Sequence, residues 1–390
     1  MTDAPLLPGA ARRGVAPSGP VAVTIGHPPR ALKQFVIKPT VFCYHRCPYC
    51  DLRQEYYKEL VAERKRALPL LASGTRRPNP GHMPRDMALR LVDEAAALGM
   101  EELQLSGGDP LLYPHLLDVI RAARGHPGVF VLMNSVGTGV SEDAAAEIID
   151  AGLGAWNFSI DTLDPEKYDR LRGVRGALPT ILAATETVRR AAAGRSDFRM
   201  NYMTVITRSN YRDIPSVIDH ALQNNIASVY LMNVYGDQAG ASLLNIDDIA
   251  EFRQGIVPEI LAVLRRRDVA QVVQDNAARV LGTFFSADNP DSNYAAGVYW
   301  PDADAARRAC RLPDHYSLVE PDGRVLPCCL VEIAQEGEVG SVVDESLAQV
   351  FNGGAFDRFR QDRIPFCLTC SSPRNMTLGL IPSMCRQFRD

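Results

Sequence analysis

Cys43-Tyr44-His45-Arg46-Cys47-Pro48-Tyr49-Cys50 places three cysteines within eight residues, in the spacing C-x3-C-x2-C. Thiols this close together can wrap around one compact centre, and such spacing is typical of metal or iron–sulfur ligation. Three thiolates are one fewer than a closed [4Fe–4S] cluster needs, so one iron would stay open for another ligand. A zinc site or a chance group of thiols is the alternative.

The stretch resembles the signature of radical S-adenosylmethionine (SAM) enzymes, in which Tyr49 matches the aromatic residue before the last cysteine and would lie beside the cofactor. The resemblance implies that Cys43, Cys47 and Cys50 bind a [4Fe–4S] cluster, whose open iron takes the amino and carboxylate groups of SAM. It also implies cleavage of SAM to methionine and a 5′-deoxyadenosyl radical. That radical would abstract a hydrogen atom from an unactivated C–H bond of the substrate.

Length and composition set limits on the class of protein. The chain has 390 residues, which suits two domains, and its net charge of −4 argues against broad nucleic-acid binding. Its nine cysteines are an odd number, which argues against the fully paired disulfides of a secreted protein. No apolar stretch reaches membrane-spanning length, and residues 1–20 lack the apolar core of a secretory signal. We therefore expect a cytoplasmic enzyme.

Regular alternation of helices and strands is predicted downstream of the cysteine loop. A first strand over 34–39 precedes that loop. The other predicted strands cover 101–106, 128–133, 155–160, 198–206 and 227–234, and the helices before them cover 85–98, 113–124, 141–151, 177–193 and 212–223. Six βα units predict an α/β fold with a parallel sheet and outer helices. The resemblance implies the partial (β/α)6 barrel of radical SAM enzymes, with reactive groups at the carboxyl ends of the strands.

The chain divides into four predicted regions: a flexible tail over 1–32, the barrel over 33–240, a connecting region over 241–304, and a C-terminal iron–sulfur domain over 305–390. The tail is rich in Pro, Gly and Ala and lacks periodicity. The connecting region includes a predicted helix over 247–267.

A long insertion over 51–84 separates the cysteine loop from the first regular helix. Residues 55–71 predict an amphipathic helix, and the rest is loop-like. The insertion is either a solvated, charged helix or a lid over the active site, because long loops are often functional.

Ser106-Gly107-Gly108-Asp109-Pro110 ends the second predicted strand. Glycines let a backbone approach a ligand closely, so Gly107 and Gly108 could present main-chain oxygens to an ammonium group, with the Asp109 carboxylate nearby. The motif resembles the GGE sequence that holds the amino group of SAM in this superfamily, with Asp in place of Glu. A plain turn is the alternative.

Polar residues at other strand ends extend the predicted SAM site. Ser159 and Asp161 alternate to the same side of the fourth strand and, by the resemblance, would face the ribose hydroxyls. Asn134, Asn201 and Asn233 lie on or after the third, fifth and sixth strands. Each could contact SAM or substrate, or could be a satisfied core or turn amide.

A helix is predicted to begin at Asp164-Pro165, which has the N-cap residue and the N1 proline that such starts favour. The segment Tyr168-Asp169-Arg170-Leu171-Arg172-Gly173 follows and also resembles a recurrent superfamily segment. We expect its arginines to be mainly structural.

A second group of cysteines lies near the C-terminus. Cys310 and Cys328 flank a predicted hairpin with Pro321-Asp322-Gly323 at its turn, and Cys367 and Cys370 form a C-x2-C pair. Four thiolates are enough to close a cluster. The pattern C-x12-G-x4-C followed by C-x2-C resembles the twitch domain, the shorter relative of the SPASM domain, and implies one auxiliary [4Fe–4S] cluster.

Two cysteines fall outside both groups. Cys329 directly follows a predicted ligand, so its side chain should point elsewhere, and we expect a buried free thiol. Cys385 could be inert, a replacement ligand or a hydrogen-atom donor. Either thiol would be catalytic only if the reaction is an epimerisation.

The two predicted clusters lead to a functional hypothesis. A fully ligated second cluster suits electron transfer, and the sequence resembles the twitch-type dehydrogenase of aminocyclitol antibiotic biosynthesis. We therefore predict a radical SAM oxidoreductase that removes two electrons from a sugar, an aminocyclitol or a related small natural-product precursor. A reductant such as flavodoxin or ferredoxin would be its partner, and we expect no nucleic-acid or membrane partner.

Three alternatives remain open at this stage: redox-neutral epimerisation, modification of a ribosomal peptide, and a non-enzymatic iron–sulfur electron carrier. The Gly-Gly-Asp motif and the polar residues of the fourth strand argue against the carrier, because a carrier needs no SAM pocket.

Overall fold

The computed structural model describes residues 30–50, 81–234, 242–283, 310–330, 337–370 and 376–385, with residues 304, 306 and 308. The predicted tail over 1–32, apart from its last three residues, lies outside this described part, as does the predicted insertion helix over 55–71.

Six parallel strands form the centre of the protein. They are β1 (Gln34–Ile37), β2 (Glu102–Leu105), β3 (Phe130–Asn134), β4 (Ala155–Ser159), β5 (Arg199–Ile206) and β6 (Ser228–Asn233). Each strand pairs with the next in chain order. The predicted barrel strands are confirmed, and every observed boundary lies within two residues of the predicted one.

Helices connect these strands and cover the outer face of the sheet. They are α1 (Arg85–Ala97), α2 (Leu116–Arg124), α3 (Glu142–Asp150), α4 (Pro165–Arg172), α5 (Ala177–Ala191) and α6 (Ile214–Gln223). Outward-facing strand residues such as Phe35, Trp156 and Tyr202 are fully buried beneath them. A helical crossover is what a parallel pairing requires, so the alternation read from the sequence dictates this arrangement.

The connecting region differs from its prediction in two ways. The helix expected over 247–267 is observed as α7 (Ile246–Glu251) and α8 (Val257–Arg266), joined by one π-helical turn. Pro258 lacks an N–H for the regular helical bond, and the wider turn absorbs this defect. Helix α9 (Gln271–Thr283) was not predicted. In the described part of the chain, no helix is long and apolar enough to cross a membrane.

The C-terminal part of the chain adds strands to both edges of the barrel sheet. Strand β7 (Tyr316–Val319) pairs in parallel with β1, and β8 (Arg324–Leu326) completes the predicted hairpin. Strand β9 (Gly340–Ser341) pairs with β8, and β10 (Met376–Gly379) runs antiparallel to β6. The hairpin therefore continues the barrel sheet.

Three short helices complete the C-terminal part: α10 (Leu347–Phe351), α11 (Gly354–Asp362) and α12 (Pro382–Cys385). Helix α10 begins with a capping box, in which Ser346 and Gln349 bond each other's backbone amides. Phe351 and Phe356 pack edge to face across the junction of α10 and α11.

A buried ion pair fixes the junction of the barrel with the C-terminal hairpin. Lys38 follows β1 and Glu320 follows β7, and their Nζ and Oε1 atoms lie 3.1 Å apart. The two side chains are 9% and 0% exposed. The backbone amide of Lys38 also donates to the carbonyl of Val319 at 3.0 Å. Removing one partner of a buried pair costs free energy, because the remaining charge is then buried without its partner and without water.

We predict that Glu320→Ala lowers the free energy of unfolding by about 3–5 kcal/mol, because it leaves the Lys38 ammonium buried without its carboxylate. The double variant Lys38→Met with Glu320→Leu should recover most of that loss, since it buries no charge. Denaturant unfolding of the purified protein measures both.

The exposed pair of Lys33 and Glu101, with side chains 53% and 65% exposed, provides the control. Lys33→Ala should cost no more than about 1 kcal/mol. A Glu320→Ala protein as stable as the wild type would show that the buried pair does not hold the junction.

Candidate functional site

A cavity of about 260 Å³ lies at the carboxyl ends of the parallel strands. It brings together most of the residues that the sequence predicted for a cofactor site: Cys43, Cys47, Tyr49, Cys50, Gly107, Gly108, Asp109, Asn134, Ser159 and Asn233. His45, Arg172 and Cys329 also line it. The carboxyl ends of parallel strands are where such folds place their reactive groups.

The Gly-Gly-Asp turn holds the start of the cysteine loop through its backbone. The amide of Gly108 donates to the carbonyl of Thr40 at 2.8 Å, and the amide of Asp109 donates to the carbonyl of Phe42 at 2.6 Å. A Cβ on Gly108 would lie only 2.0 Å from the Phe42 oxygen. Glycine is therefore required here by the close approach of two backbones. Its predicted contact with the SAM ammonium group stays a prediction.

The carboxylate of Asp109 joins the loops that follow β2 and β3. It accepts hydrogen bonds from Ser135 Oγ at 2.6 Å, Leu111 N at 3.1 Å and Val136 N at 3.3 Å. Burial raises the pKa of Asp109, while these hydrogen bonds oppose the shift. Asp109 thus lies in the cavity wall with several of its acceptor positions already used.

The end of helix α4 holds the other side of the cysteine loop. The amide of Arg46 donates to the carbonyl of Arg172 at 2.8 Å, and Arg172 Nη1 lies 3.7 Å from Cys47 Sγ. Gly173 adopts a φ of 65°, and a Cβ there would lie 2.3 Å from the Arg46 oxygen. The cysteine loop is therefore clamped between two glycine turns. Arg172 also lines the cavity, in addition to making the structural contacts that we expected of this segment.

Asp161 lies behind the cavity wall, and its predicted place facing the ribose hydroxyls of SAM stays a prediction. The residue has no exposed surface. Its Oδ2 lies 2.6 Å from Arg172 Nη2 and accepts a hydrogen bond from Tyr49 Oη at 2.8 Å, and its Oδ1 accepts one from Val205 N at 2.9 Å. Asp161 therefore positions Arg172 and Tyr49, two residues of the cysteine site.

Asn201 also lies away from this cavity, because it is deeper in the barrel. Asn157 Nδ2 donates to Asn134 Oδ1, and Asn201 Nδ2 donates to Asn157 Oδ1, both at 2.8 Å. Asn134 Nδ2 lies 3.4 Å from Ser106 Oγ. Asn201 thus has a place in a ladder beneath Asn134, and its predicted contact with SAM or substrate stays a prediction. Asn157 was missed, although its alternation with Ser159 was a usable signal.

Cys329 is exposed and faces the cavity, so the expectation of a buried thiol was wrong. A hydrogen bond from the Cys328 thiol and the charge of Lys38 lower the pKa of Cys329 to about 7. The chain turns directly after β8, at Cys328 and Cys329, and the side chain of Cys329 reaches the cavity there.

Cys385 lies at the opposite end of the barrel. It is buried in α12, and its Sγ lies 3.5 Å from the Ile381 carbonyl. Helix α12 follows Gly379, which pairs with Ser228 at the amino-terminal start of β6. This burial favours the inert alternative for Cys385, and its roles as hydrogen donor or replacement ligand stay predictions.

None of the nine cysteines, all of which lie in the described part of the chain, forms a disulfide, so the four thiols of the C-terminal group are available as ligands. A 3-10 helix over Pro365–Thr369 brings Cys367 toward the side of Cys370, since residues three apart align in such a helix. Burial raises the pKa of Cys367, and the charge of Cys310 adds to that rise. A hydrogen bond to Cys329 raises the pKa of Cys328, and burial and the charges of Cys329 and Cys370 add to it.

In each group of cysteines, a backbone amide donates a hydrogen bond to one of the thiols. The amide of His45 donates to Cys43 Sγ at 3.4 Å, and the amide of Leu330 donates to Cys328 Sγ at 3.2 Å. Such donors stabilise thiolates and tune clusters. Within the described residues, no three potential ligands converge as they would on one metal ion. A four-iron cube takes each thiolate on a different iron, so its ligands stand farther apart. These donor sets fit iron–sulfur clusters.

Two family models match the sequence. A model described as "Radical SAM superfamily" matches residues 37–221, and the SPASM model, described as "Iron-sulfur cluster-binding domain", matches residues 310–371. The first range contains the cysteine loop and most of the residues that line the cavity, and the second contains Cys310, Cys328, Cys367 and Cys370.

Among curated proteins, the chain is 26% identical over 275 residues to the PqqA peptide cyclase of Granulibacter bethesdensis, covering 70% of this chain and 66% of that protein. It is 25% identical over 308 residues to the AdoMet-dependent heme synthase of Oleidesulfovibrio alaskensis, covering 74% and 71%. The chain thus spans about two thirds of the length of that cyclase.

Solved structures share the fold. SuiB of Streptococcus suis, bound to the precursor peptide SuiA, aligns with a TM-score of 0.57 at 14% identity, covering 89% of this chain and 71% of that one. The enzyme anSMEcpe, with bound AdoMet and the peptide Cp18Cys, aligns with a TM-score of 0.56 at 15% identity, covering 91% and 94%.

We predict that Arg172→Gln lowers the free energy of unfolding by about 3–5 kcal/mol, because Asp161 stays buried without its partner. In cluster-loaded protein, the midpoint reduction potential of the cluster at the cysteine loop should shift to a more negative value. A cation beside Cys47 favours the reduced, more negative cluster. Denaturant unfolding and an EPR-monitored redox titration measure the two effects.

Arg170 is the matched control, because it lies on the same helix with its side chain 68% exposed. Arg170→Gln should leave both stability and potential unchanged. An unaltered potential in a folded Arg172→Gln protein would contradict the predicted influence on the cluster.

The geometry and the comparisons agree on both halves of the chain. The clamped cysteine loop and most of the cavity lining fall within the first matched range, and the four C-terminal thiols fall within the second. The cofactors are SAM with its [4Fe–4S] cluster, and an auxiliary iron–sulfur centre. The chain therefore contains a radical SAM domain over residues 37–221, followed by an iron–sulfur cluster-binding SPASM domain over residues 310–371.

Proposed function

We propose that this protein is a radical SAM oxidoreductase that removes two electrons from a C–H bond of its substrate. One observation carries the proposal: the two groups of cysteines adjoin the same cavity. Cys329 lines the cavity beside Cys43 and Cys47, and its immediate neighbour Cys328 belongs to the auxiliary group. An electron leaving a substrate in the cavity would therefore have a short path to an acceptor.

SAM and the clusters supply the radical chemistry and the electron sink when bound. In such an oxidation the substrate would lose one hydrogen atom to the group derived from SAM, one electron to the auxiliary centre held by the C-terminal cysteines, and one proton. The sum is a two-electron oxidation. A reductant such as flavodoxin or ferredoxin would supply the electron that cleaves SAM.

The cavity has one polar wall and one apolar wall. Arg172 belongs to the polar wall, and its buried Nε has no hydrogen-bond partner within the described structure, which suits it to the carboxylate of SAM. Asn134, Ser159 and Asn233 offer further polar groups on strands β3, β4 and β6. The side chains of the apolar wall would receive the less polar parts of SAM and substrate: Met203, Val205, Met232 and Val234.

For the substrate, we propose a peptide side chain as the first class to test. PqqA peptide cyclases recur among the curated relatives, and solved structures of this fold hold peptides. The sugar or aminocyclitol expected from the cysteine spacing stays a prediction and forms the second arm of the experiment.

Redox-neutral epimerisation is a second candidate reaction, and the position of Cys329 favours it. An exposed thiol in the cavity could return a hydrogen atom to a substrate radical. Product analysis separates the two reactions. Anaerobic incubation with SAM, dithionite and candidate substrates should give a product lighter by two hydrogen atoms if the reaction is an oxidation. A product with unchanged mass in H2O that takes up deuterium when the reaction is run in D2O would overturn the proposed oxidation.

We predict that replacing Cys43, Cys47 and Cys50 by Ala abolishes 5′-deoxyadenosine formation and halves the iron content. Wild-type protein should carry about eight irons, four in each cluster, and the variant about four. Iron analysis and chromatography measure both. Continued formation of 5′-deoxyadenosine would show that the radical centre lies elsewhere.

We further predict that Cys329→Ala still forms the oxidised product, because an oxidation returns no hydrogen atom to the substrate. Mass spectrometry measures this product beside 5′-deoxyadenosine. Cys385→Ala is the matched control, since that thiol lies at the other end of the barrel. If Cys329→Ala forms 5′-deoxyadenosine but no product, while Cys385→Ala is normal, hydrogen donation by Cys329 replaces the oxidation.

A further inference from the structure

A second cavity, of about 780 Å³, lies at the opposite end of the barrel from the cysteine loop. Its lining includes the first residues of five strands: Gln34, Glu102, Phe130, Ala155 and Arg199. The two cavities share Asn134, Met203 and Met232, so the asparagine ladder separates them. We call this space the amino-end cavity.

The interior of this barrel is more polar than its fold requires. Barrel interiors are normally filled by layers of branched apolar side chains. Here Gln34, Gln104, Asn157 and Asn201 line the amino-end cavity, while the apolar residues of the same strands face the helices. Buried polar groups cost free energy unless they are hydrogen-bonded, so a polar and hollow interior points to a polar occupant.

Arg199 supplies a cation on one side of this cavity. Its guanidinium lies 4.6 Å from the centre of the Phe130 ring, and Nη1 contacts Met384 Sδ at 2.8 Å. Neither of these described partners is an anion. A half-buried guanidinium with apolar neighbours is suited to bind a carboxylate.

Glu102 supplies a carboxylate on the other side. It stands at the start of β2, and two strands, β3 and β4, separate it from Arg199 on β5. Within the described structure, its Oε1 atom accepts a hydrogen bond from Gln34 Nε2 at 3.4 Å. Burial raises the pKa of Glu102, and the charge of Arg199 only partly opposes that shift. Among the described residues, no Lys or Arg side chain lies within ion-pair distance of the Glu102 carboxylate.

Asn201 gives an independent indication of a ligand. The residue is 1% exposed, lines the amino-end cavity, and has no hydrogen-bond partner for Oδ1 in the described structure. An unsatisfied buried carbonyl oxygen costs about 1–3 kcal/mol, which a donor in the cavity would remove. Several apolar side chains lie between the polar groups: Phe130, Leu132, Met203, Tyr230 and Met384.

We propose that the amino-end cavity binds a small zwitterion with an apolar body, an amino acid or a short peptide. Its carboxylate binds Arg199, its ammonium group binds Glu102, and its side chains contact the apolar wall. A volume of about 780 Å³ lies within the usual range for small-ligand sites. This site is distinct from the SAM cavity and does not depend on the reaction proposed above.

Isothermal titration calorimetry tests the proposal with L-leucine and the dipeptide leucyl-leucine as probes. The titration uses anaerobic, cluster-loaded protein saturated with SAM, so that the other cavity is already filled. Saturable binding of either probe is expected, at one site per chain. N-acetyl-leucine, which lacks the ammonium group, and leucinamide, which lacks the carboxylate, should bind at least tenfold more weakly.

Arg199→Gln and Glu102→Gln should each weaken binding at least tenfold while the iron content and SAM binding stay normal. Arg121→Gln, on the surface of α2, is the matched control and should bind like the wild type. Two results on wild-type protein overturn the proposal even if a variant fails to fold. One is no heat with either probe, which means that the cavity holds only water. The other is equal affinity for the uncharged analogues.

Discussion

The close approach of two backbones to the cysteine loop is the constraint on which the site depends. The loop lacks regular secondary structure, so its three thiols are placed by contacts made from outside it. Gly108 and Gly173 each stand where any side chain would collide with a loop carbonyl. A backbone hydrogen bond is worth only about 1 kcal/mol, but several act together at these turns. The loop therefore keeps one shape before any cofactor binds.

Two buried ion pairs also hold the site in place, and they join segments of the chain that are far apart in sequence. Asp161 fixes Arg172 against the cysteine loop, and Glu320 fixes Lys38 at the joint of the barrel with the C-terminal hairpin. Buried pairs add little net stability compared with apolar packing, but they penalise every arrangement in which one partner is alone. They thus specify geometry around a site whose cofactors must be held at fixed positions.

The sequence predicts the barrel well because helix and strand periodicities are local properties of the chain. It also predicts which strand ends meet at the site. It does not predict how far along the barrel axis an inward-facing residue lies. Alternation shows that Asn201 faces inward, but not that it lies below the SAM cavity. The burial of Asp161 depends on Arg172, a partner that no pattern identifies. The exposure of Cys329 was missed for the same reason, since the surroundings of a single thiol are set by the tertiary fold.

The parallel pairing of β1 with β7 affects how the protein can fold. Strand β1 is among the first elements synthesised, and its partner β7 is among the last. Until then one edge of β1 exposes unpaired amides and carbonyls, which makes the nascent barrel prone to edge-to-edge aggregation. Contacts of such high contact order also slow folding. A ribosome-bound chain can therefore assemble most of its barrel early, but it completes the sheet only after the auxiliary-cluster hairpin has emerged.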